Sequence, residues 1–155
     1  MVIKSGKTVA HLTNSYGDVR MVNISEKPVT RRSALASSKV KLSKDAYQQL
    51  KSGTLPKGDV FASARIAGIQ AVKRTSELIP LCHQLLIENV IITFETDDGT
   101  HSVGITAQVT CTGKTGVEME ALTAVSIAAL TIYDMCKSID KAIKITDIKL
   151  LKKSK

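Results

Sequence analysis

Aromatic side chains are scarce in this chain: 155 residues include no tryptophan, three tyrosines and two phenylalanines. Proteins that bind single-stranded nucleic acid usually stack bases on such rings, and here the basic residues are scattered rather than interleaved with aromatics. Nucleic acid is therefore a disfavoured partner, although 22 Lys and Arg against 14 Asp and Glu give a formal charge of +8. A small polyanion such as a phosphorylated metabolite fits that charge better.

Cysteines and long apolar runs are limited as well. Cys82, Cys111 and Cys136 are far apart and form no CxxC pair, so the sequence indicates neither a disulfide framework nor a zinc cluster. Reduced thiols in a cytosol are expected. No uninterrupted apolar run reaches bilayer length, and the first residues lack the apolar core of a signal peptide. We expect a cytoplasmic protein that does not bind membranes.

The length predicts one domain over residues 1–155, with residues 1–18 as a loose arm. Turn signals, caps and hydrophobic periodicity divide the rest of the chain. The predicted elements are extended structure over 19–24 and 28–42, a helix over 44–51 capped by Ser43, a longer helix from the cap Asp59 to Ile79, strands over 89–96 and 101–112 joined at 97–99, a helix over 117–139 and a strand over 143–151.

This order of elements predicts an α+β fold: a ferredoxin-like antiparallel sheet with two main helices on one face. Ala64, Ala67, Gly68 and Ala71 allow the first main helix to pack closely. The other sheet face would be uncovered, and the second main helix is unusually apolar. Both features predict burial against another subunit, so we expect an oligomer.

The segment GKTGVEMEALTAVSIAALTIYDMCK, residues 113–137, has its charges only near its two ends. Glu118 and Glu120 lie at one end, Asp134 and Lys137 at the other, and residues 121–133 are uncharged. Charges at the ends of a buried helix are costly unless they are paired or face a cleft, so they mark a candidate site. Glu120 and Asp134 share a helix face but lie about 21 Å apart. If both serve one small substrate, a symmetric dimer must bring one subunit's helix start to its partner's helix end.

Two other positions are candidates on spacing. Lys57 precedes a helix start, where free amides and the helix dipole attract anions, and His83 follows a helix end and Pro80. Bland interpretations stay open: an exposed loop lysine, a structural histidine, acids that only favour the helix dipole at Glu118 and Glu120, and a surface ion pair between Asp134 and Lys137. A Walker phosphate loop at 113–116 is rejected because its lysine precedes the second glycine.

Three segments together resemble one known family: KPVTRR at 27–32, LPKGDVFASARIAGIQAVKRTSELIPLCH at 55–83, and residues 113–137. They are similar to the molybdenum cofactor biosynthesis protein C family of cyclic pyranopterin monophosphate synthases, and the likeness extends over residues 21–151. The resemblance implies a ferredoxin-like fold and a homohexamer built as a trimer of dimers, with the active site at the dimer interface. It also implies a lyase that converts (8S)-3′,8-cyclo-7,8-dihydroguanosine 5′-triphosphate to cyclic pyranopterin monophosphate and pyrophosphate.

The resemblance implies that Asp134 is the catalytic acid or base, with Lys57 and Lys137 as its catalytic partners. The residues that it implies for substrate binding are Leu81, Cys82, His83, Met119, Glu120, Glu118, Arg32, Lys73 and Lys114. Arginine and lysine side chains would neutralise the triphosphate and stabilise departing pyrophosphate. Lys57 and Lys137, if crowded into one basic pocket, would have lowered pKa values and could transfer protons near neutrality.

No metal-ligand cluster appears in the sequence, so we expect no required cofactor or metal, although magnesium on the triphosphate would be ordinary. Many relatives have a Gly-, Lys- and Ser-rich tail after the last strand. Here the residues after Leu151 are few, and we expect a tail over the site to be missing or shortened.

Two alternatives remain. One is a non-catalytic basic nucleic-acid-binding module, which charge supports and the lack of aromatics opposes; the salt dependence of its DNA affinity would distinguish it. The other is a hexamer subunit that has lost activity, which the presence of Lys57, Asp134 and Lys137 opposes.

Overall fold

The computed structural model describes Gly17 and residues 19–155. Apart from Gly17, the predicted arm over residues 1–18 lies outside the described residues. The segment predicted to be extended over 19–24 does not join the sheet as a strand: Val19 forms an isolated β-bridge and residues 20–24 form no strand. Val22 and Ile24 are nevertheless half-buried, since this segment lies against the body of the protein.

The fold is α+β, as predicted, with four strands and four helices in the described chain. In order these are β1 (Thr30–Lys41), α1 (Lys44–Ser52), α2 (Val60–Lys73), α3 (Thr75–Leu78), β2 (Ile87–Asp97), β3 (Ser102–Gly113), α4 (Glu118–Cys136) and β4 (Lys144–Ser154). The strands form one antiparallel sheet in the order β2-β3-β1-β4.

One face of the sheet is covered by α2 and α4. Alternate residues of β1, including Ala34, Ala36 and Val40, are buried on this face. Helix α4 packs against β1, β3 and β4, while α2 packs against α4 and β2. The opposite face is polar, and Ser37, Thr93 and other short or charged side chains line a shallow groove there. The expectation of two main helices on one sheet face is confirmed.

Small residues bring α2 and α4 together. A Cβ added at Gly68 would lie 2.5 Å from Ile92 Cδ1 and 3.1 Å from the carbonyl oxygen of Ala124. Ala64 and Ala128, on the same two helices, are fully buried. The close packing predicted from the small residues of α2 is therefore present, and it fixes α4 at the centre of the core.

The predicted helix from Asp59 to Ile79 is not continuous, because it is interrupted at Arg74 (φ −112°, ψ 10°) and Thr75–Leu78 forms a separate short helix. The hydroxyl of buried Thr75 donates to the carbonyl of Ala71 at 3.1 Å, and the same carbonyl accepts the Arg74 N–H. This local hydrogen bonding competes with the regular helical pattern. Helix α3 then adds a single turn.

The caps agree with the predictions. Ser43 Oγ accepts the Ala46 N–H at 3.3 Å, and Gly53 ends α1 with φ 71°, a left-handed conformation that glycine adopts without strain. Asp59 Oδ1 accepts the Ala62 N–H at 2.9 Å at the start of α2.

Helix α4 ends at Cys136, three residues before the predicted end, and β4 continues three residues beyond the predicted end to Ser154.

Helix α4 has 19 residues and is long and apolar enough to cross a membrane by length and composition alone. Half of its most apolar window is buried inside the protein. Ala121, Val125 and Ile132 are fully buried among the strands and α2. The apolar character of α4 is that of a core helix.

Candidate active site

Three charged side chains meet near the end of α4, and we call Lys57, Asp134 and Lys137 the helix-end cluster. Lys57 Nζ lies 2.7 Å from Asp134 Oδ2, and Lys137 Nζ lies 2.6 Å from Asp134 Oδ1. Lys57 Nζ also donates to the Asp134 carbonyl at 3.0 Å. Each side chain is about half-exposed in the single chain. The pair of Asp134 and Lys137, which the sequence left open as a surface ion pair, therefore includes a third residue, Lys57, from a distant part of the sequence.

The turn between α1 and α2 places Lys57 against α4. Leu55 is buried and anchors this turn, and its carbonyl accepts the Gly58 N–H at 3.0 Å. Gly58 has φ 90°, a conformation that L side chains rarely adopt, so the chain can reverse immediately after Lys57. Asp59 then caps α2, so its carboxylate occupies one of the amides that we expected to attract an anion.

The cluster has a distinct electrostatic character. Hydrogen bonds from Lys137 and then Lys57 lower the pKa of Asp134 to about 2, so this group is a carboxylate at neutral pH. The same contact with Asp134 raises the pKa of Lys137. The expected lowering for Lys137 is therefore wrong in the single chain, because the neighbouring carboxylate stabilises the ammonium form.

A cleft of about 490 Å³ lies at the other end of α4, and we call it the helix-start cleft. One wall comes from the connection after α3, another from the first turn of α4, and a third from the segment before β1. Its lining includes six residues that the resemblance implied for substrate binding: Leu81, Cys82, His83, Glu118, Met119 and Glu120. The structure therefore brings this part of the implied site together, although the sequence separates it by more than thirty positions.

Glu120 is the most buried acid of the helix-start cleft, with 4% of its surface exposed. Burial raises its pKa, and the nearby charge of Glu118 raises it further. Burial also raises the pKa of the Cys82 thiol, with an added contribution from Glu120, so the thiol stays protonated near neutrality. A carboxyl whose pKa is raised by burial and a neutral thiol line this cleft together with His83, so the cleft is suited to proton transfer rather than to thiolate chemistry.

A second cleft of about 290 Å³ adjoins the first and shares Gly116, Glu118 and Lys153 with it. Arg32 lines the second cleft, and its Nε donates to the Gly113 carbonyl at 3.4 Å. Lys153 Nζ lies 3.2 Å from Glu118 Oε1, which ties the end of β4 to the start of α4. A Cβ at Gly116 would collide with the Glu118 carboxylate, so the glycine leaves room for that side chain.

Two residues of the implied site lie elsewhere. Lys73 is exposed in a separate groove with Ile69 and the start of β2, and only Leu85 joins this groove to the helix-start cleft. Lys114 does not line either cleft, and its Nζ donates to the Ser25 carbonyl at 2.7 Å.

Sequence reasoning missed other residues that line the helix-start cleft. Val22, Ile24 and Lys27 come from the segment before β1, and Lys153 comes from the end of β4. Lys27 is the first letter of the KPVTRR segment, but nothing in its spacing indicates a cleft. Lys153 belongs to the part of the chain that we expected to be a shortened tail, whereas it pairs with Glu118.

The helix-end cluster and the helix-start cleft are separated by the length of α4. A helix rises about 1.5 Å per residue, so Glu120 and Asp134 lie about 21 Å apart along its axis. Within residues 19–155, no three His, Cys, Asp or Glu side chains are grouped so that they could hold a metal ion. Proton-transfer groups and cationic side chains therefore lie both in the helix-end cluster and around the helix-start cleft.

Comparison with known proteins identifies the family: the model of the MoaC family matches residues 21–155. The chain belongs to the MoaC family. A relative from Clostridium acetobutylicum is 52% identical over 141 residues, covering 91% of this chain and 88% of its own length. Relatives from Heliobacterium modesticaldum and a Roseiflexus species are each 53% identical, covering 89% and 94% of this chain and 87% and 92% of their own lengths.

All three relatives carry the name cyclic pyranopterin monophosphate synthase. The resemblance found from the sequence is confirmed, and the chain is a member of a family of enzymes. The matched region contains every residue of the helix-end cluster and both clefts at the helix start.

Proposed function

We propose that this MoaC-family chain converts (8S)-3′,8-cyclo-7,8-dihydroguanosine 5′-triphosphate to cyclic pyranopterin monophosphate and pyrophosphate, as a lyase of molybdenum cofactor biosynthesis. The observation that carries the proposal is the high identity to named synthases over nearly the whole chain. The two charged groups at the ends of α4 supply the side chains that such a reaction requires.

Pyrophosphate release requires cations close to a triphosphate. Arg32, Lys153 and Lys27 lie around the two clefts at the helix start. Charge-assisted hydrogen bonds from these groups would neutralise the substrate and stabilise the leaving pyrophosphate. Magnesium carried on the triphosphate would assist in the same way, and the proposed reaction requires no other metal or cofactor.

The ring rearrangement requires protons to be delivered and removed. Asp134 is ionised at neutral pH, which favours a role in holding the Lys57 and Lys137 ammonium groups over a role as a proton donor. The two lysines are then the proton donors and acceptors of the helix-end cluster. Glu120, whose pKa is raised by burial, is the proton-transfer group that we assign in the helix-start cleft.

A shared site between two subunits would unite the two ends of α4. One chain alone holds them about 21 Å apart, whereas a two-fold axis can place one subunit's helix end at its partner's helix start. Exposed apolar side chains support subunit contacts: Ile66 on α2 and Leu130 on α4 are 59% and 53% exposed. We extend the proposal to a cytoplasmic homohexamer, a trimer of such dimers, on a ferredoxin-like fold with the β-α-β-β-α-β order.

The test supplies purified protein with the cyclised GTP intermediate and measures both pyrophosphate and the pyranopterin product. Turnover should be present in the parent and reduced about 100-fold or more in Lys57→Ala and Lys137→Ala. The matched control is Lys51→Ala, an exposed lysine in an ion pair of the same length with Asp98. Absence of product from the parent protein would refute the proposed reaction, and unchanged rates in both cluster variants would refute the site.

A further inference from the structure

Residues 19–29, which we call the strap, contribute Val22, Ile24 and Lys27 to the lining of the helix-start cleft and have no regular secondary structure beyond the bridge at Val19. Val22 and Ile24 are half-buried and form part of the lining. They face a cleft whose other walls hold His83 and Glu120. The strap therefore completes the cleft, and what it contributes to substrate binding depends on how it is held.

A short turn in the strap sets the direction of Lys27. Asn23 Oδ1 accepts the Ser25 N–H at 2.9 Å, and the Ile24 carbonyl accepts the Lys27 N–H at 3.1 Å. Pro28 follows, and its ring restricts the backbone of the residue before it. These constraints restrict the backbone at Lys27, whose side chain lines the cleft.

A single side-chain hydrogen bond in the described chain joins this turn to the body of the protein. Lys114, in the connection from β3 to α4, donates from Nζ to the Ser25 carbonyl at 2.7 Å. Lys114 is half-buried and does not line the cleft. The Lys114 ammonium group therefore contacts the strap and does not line the cleft where a ligand would bind.

The two lysines that line the cleft, Lys27 and Lys153, differ in their ion pairing. Lys153 also lines the cleft, but its ammonium pairs with Glu118. Lys27 forms no ion pair with any side chain in residues 19–155. An unpaired lysine at a cleft is available to an anion, and a lysine ammonium is a strong donor to phosphate oxygens.

We infer that Lys27 binds a phosphate group of the substrate and that Lys114 is a positioning residue that acts through the strap. This inference rests on the proposed function for the identity of the substrate. It changes the role that the family resemblance implied for Lys114, and it adds a binding residue on a segment to which sequence reasoning assigned none.

The first test measures the affinity of the full chain for inorganic pyrophosphate by calorimetry. Lys27→Gln should weaken binding about tenfold, the loss expected for one charge-assisted hydrogen bond. Lys114→Gln should weaken it by a similar factor, and the double variant should be no weaker than Lys27→Gln alone, because both changes remove the same contact. Lys44→Gln, an exposed lysine at the start of α1, is the matched control and should bind like the parent.

A second readout separates positioning from direct contact. Amide hydrogen exchange at residues 22–26 should accelerate in Lys114→Gln and stay at the parent rate in Lys27→Gln. Pyrophosphate affinity within twofold of the parent in Lys27→Gln would overturn the binding role. Unchanged exchange together with unchanged affinity in Lys114→Gln, or additive losses in the double variant, would overturn the positioning role.

The outcomes also distinguish this inference from the proposed reaction. If the parent turns over the cyclised intermediate but Lys27→Gln binds pyrophosphate and substrate normally, the inference about Lys27 fails while the reaction stands. If Lys27→Gln loses pyrophosphate affinity but the parent yields no pyranopterin product, the anion site stands while the reaction fails.

Discussion

Lys57 Nζ and Asp134 Oδ2 lie 2.7 Å apart although 77 positions separate the two residues in the sequence. The contact joins the turn before α2 to the end of α4, and it exists because small residues let these helices pack closely. Lys137, the residue that follows α4, completes the group. Local sequence pattern could pair Asp134 with Lys137, but only the packing of α2 on α4 adds Lys57.

Replacing Asp134 should abolish turnover without unfolding the protein. Asp134→Asn removes the carboxylate charge that Lys57 and Lys137 share, and we expect kcat to fall about 100-fold or more. The thermal midpoint should stay close to that of the parent, because exposed ion pairs contribute little to stability. Pyrophosphate release and thermal unfolding together measure the two effects.

Asp98→Asn is the control for this substitution. Asp98 forms a 2.6 Å ion pair with Lys51 and accepts the Tyr47 hydroxyl, so it matches Asp134 in chemistry but lies at the turn between β2 and β3. Its activity should equal that of the parent. A parent-like rate in Asp134→Asn, or an equal loss in Asp98→Asn, would contradict the assignment.

Mixing two inactive variants should restore activity if the site is shared between subunits. In His83→Ala the helix start is defective, and in Asp134→Ala the helix end is defective. Random dimers of the two contain about a quarter of sites in which both contributing ends are intact. We expect about a quarter of parent activity after co-refolding or co-expression, measured as pyrophosphate release.

The control for this experiment mixes variants altered at the same end, His83→Ala with Glu120→Ala. Every site in that mixture carries a defective helix start, so no recovery is expected. Failure of the first mixture to recover, in a protein shown by sedimentation to exchange subunits, would exclude a site assembled from both helix ends.

Glu120 should make the stability of the fold depend on pH. Its folded-state pKa is raised by burial above the unfolded value of about 4.3, so the folded state holds its proton more tightly than the unfolded state. The free energy of unfolding should therefore decrease as pH rises from the unfolded value through the folded one. Glu120→Gln lacks this titration.

Denaturant unfolding of both proteins between pH 4 and pH 8 measures this effect. The difference in unfolding free energy should move in favour of Glu120→Gln as pH rises. If the two curves remain parallel over that range, the carboxyl does not have a raised pKa in the folded protein. Turnover of Glu120→Gln, measured in parallel, reports whether the same proton is used in the reaction.

Gly68→Ala should destabilise the fold, since the new Cβ meets Ile92 Cδ1 and the backbone of α4 at Ala124. Overpacking of this kind costs about 1–3 kcal/mol, which thermal or denaturant unfolding can measure. Gly104→Ala is the matched control, because its nearest contact is the Glu95 carbonyl oxygen at 3.7 Å, an ordinary van der Waals distance. Equal stability of the two variants would contradict the packing described for α2 and α4.

The local elements were within reach of sequence reasoning. Caps at Ser43 and Asp59, the left-handed Gly53 and the apolar period of α4 depend on residues within a few positions of one another. The helix break at Arg74 was missed because helical periodicity continues past it, and the competing hydrogen bond from Thr75 has no pattern of its own.

The sequence by itself determined the α+β class, the family and the placement of charges at both ends of a buried helix, because these follow from composition, periodicity and motif. Tertiary structure alone decided which side chains meet. Lys57 reaches Asp134, Lys153 reaches Glu118, and Lys114 holds the strap that carries Lys27. These contacts join positions far apart in the chain, so they depend on how strands and helices pack and leave no periodic signal in the sequence.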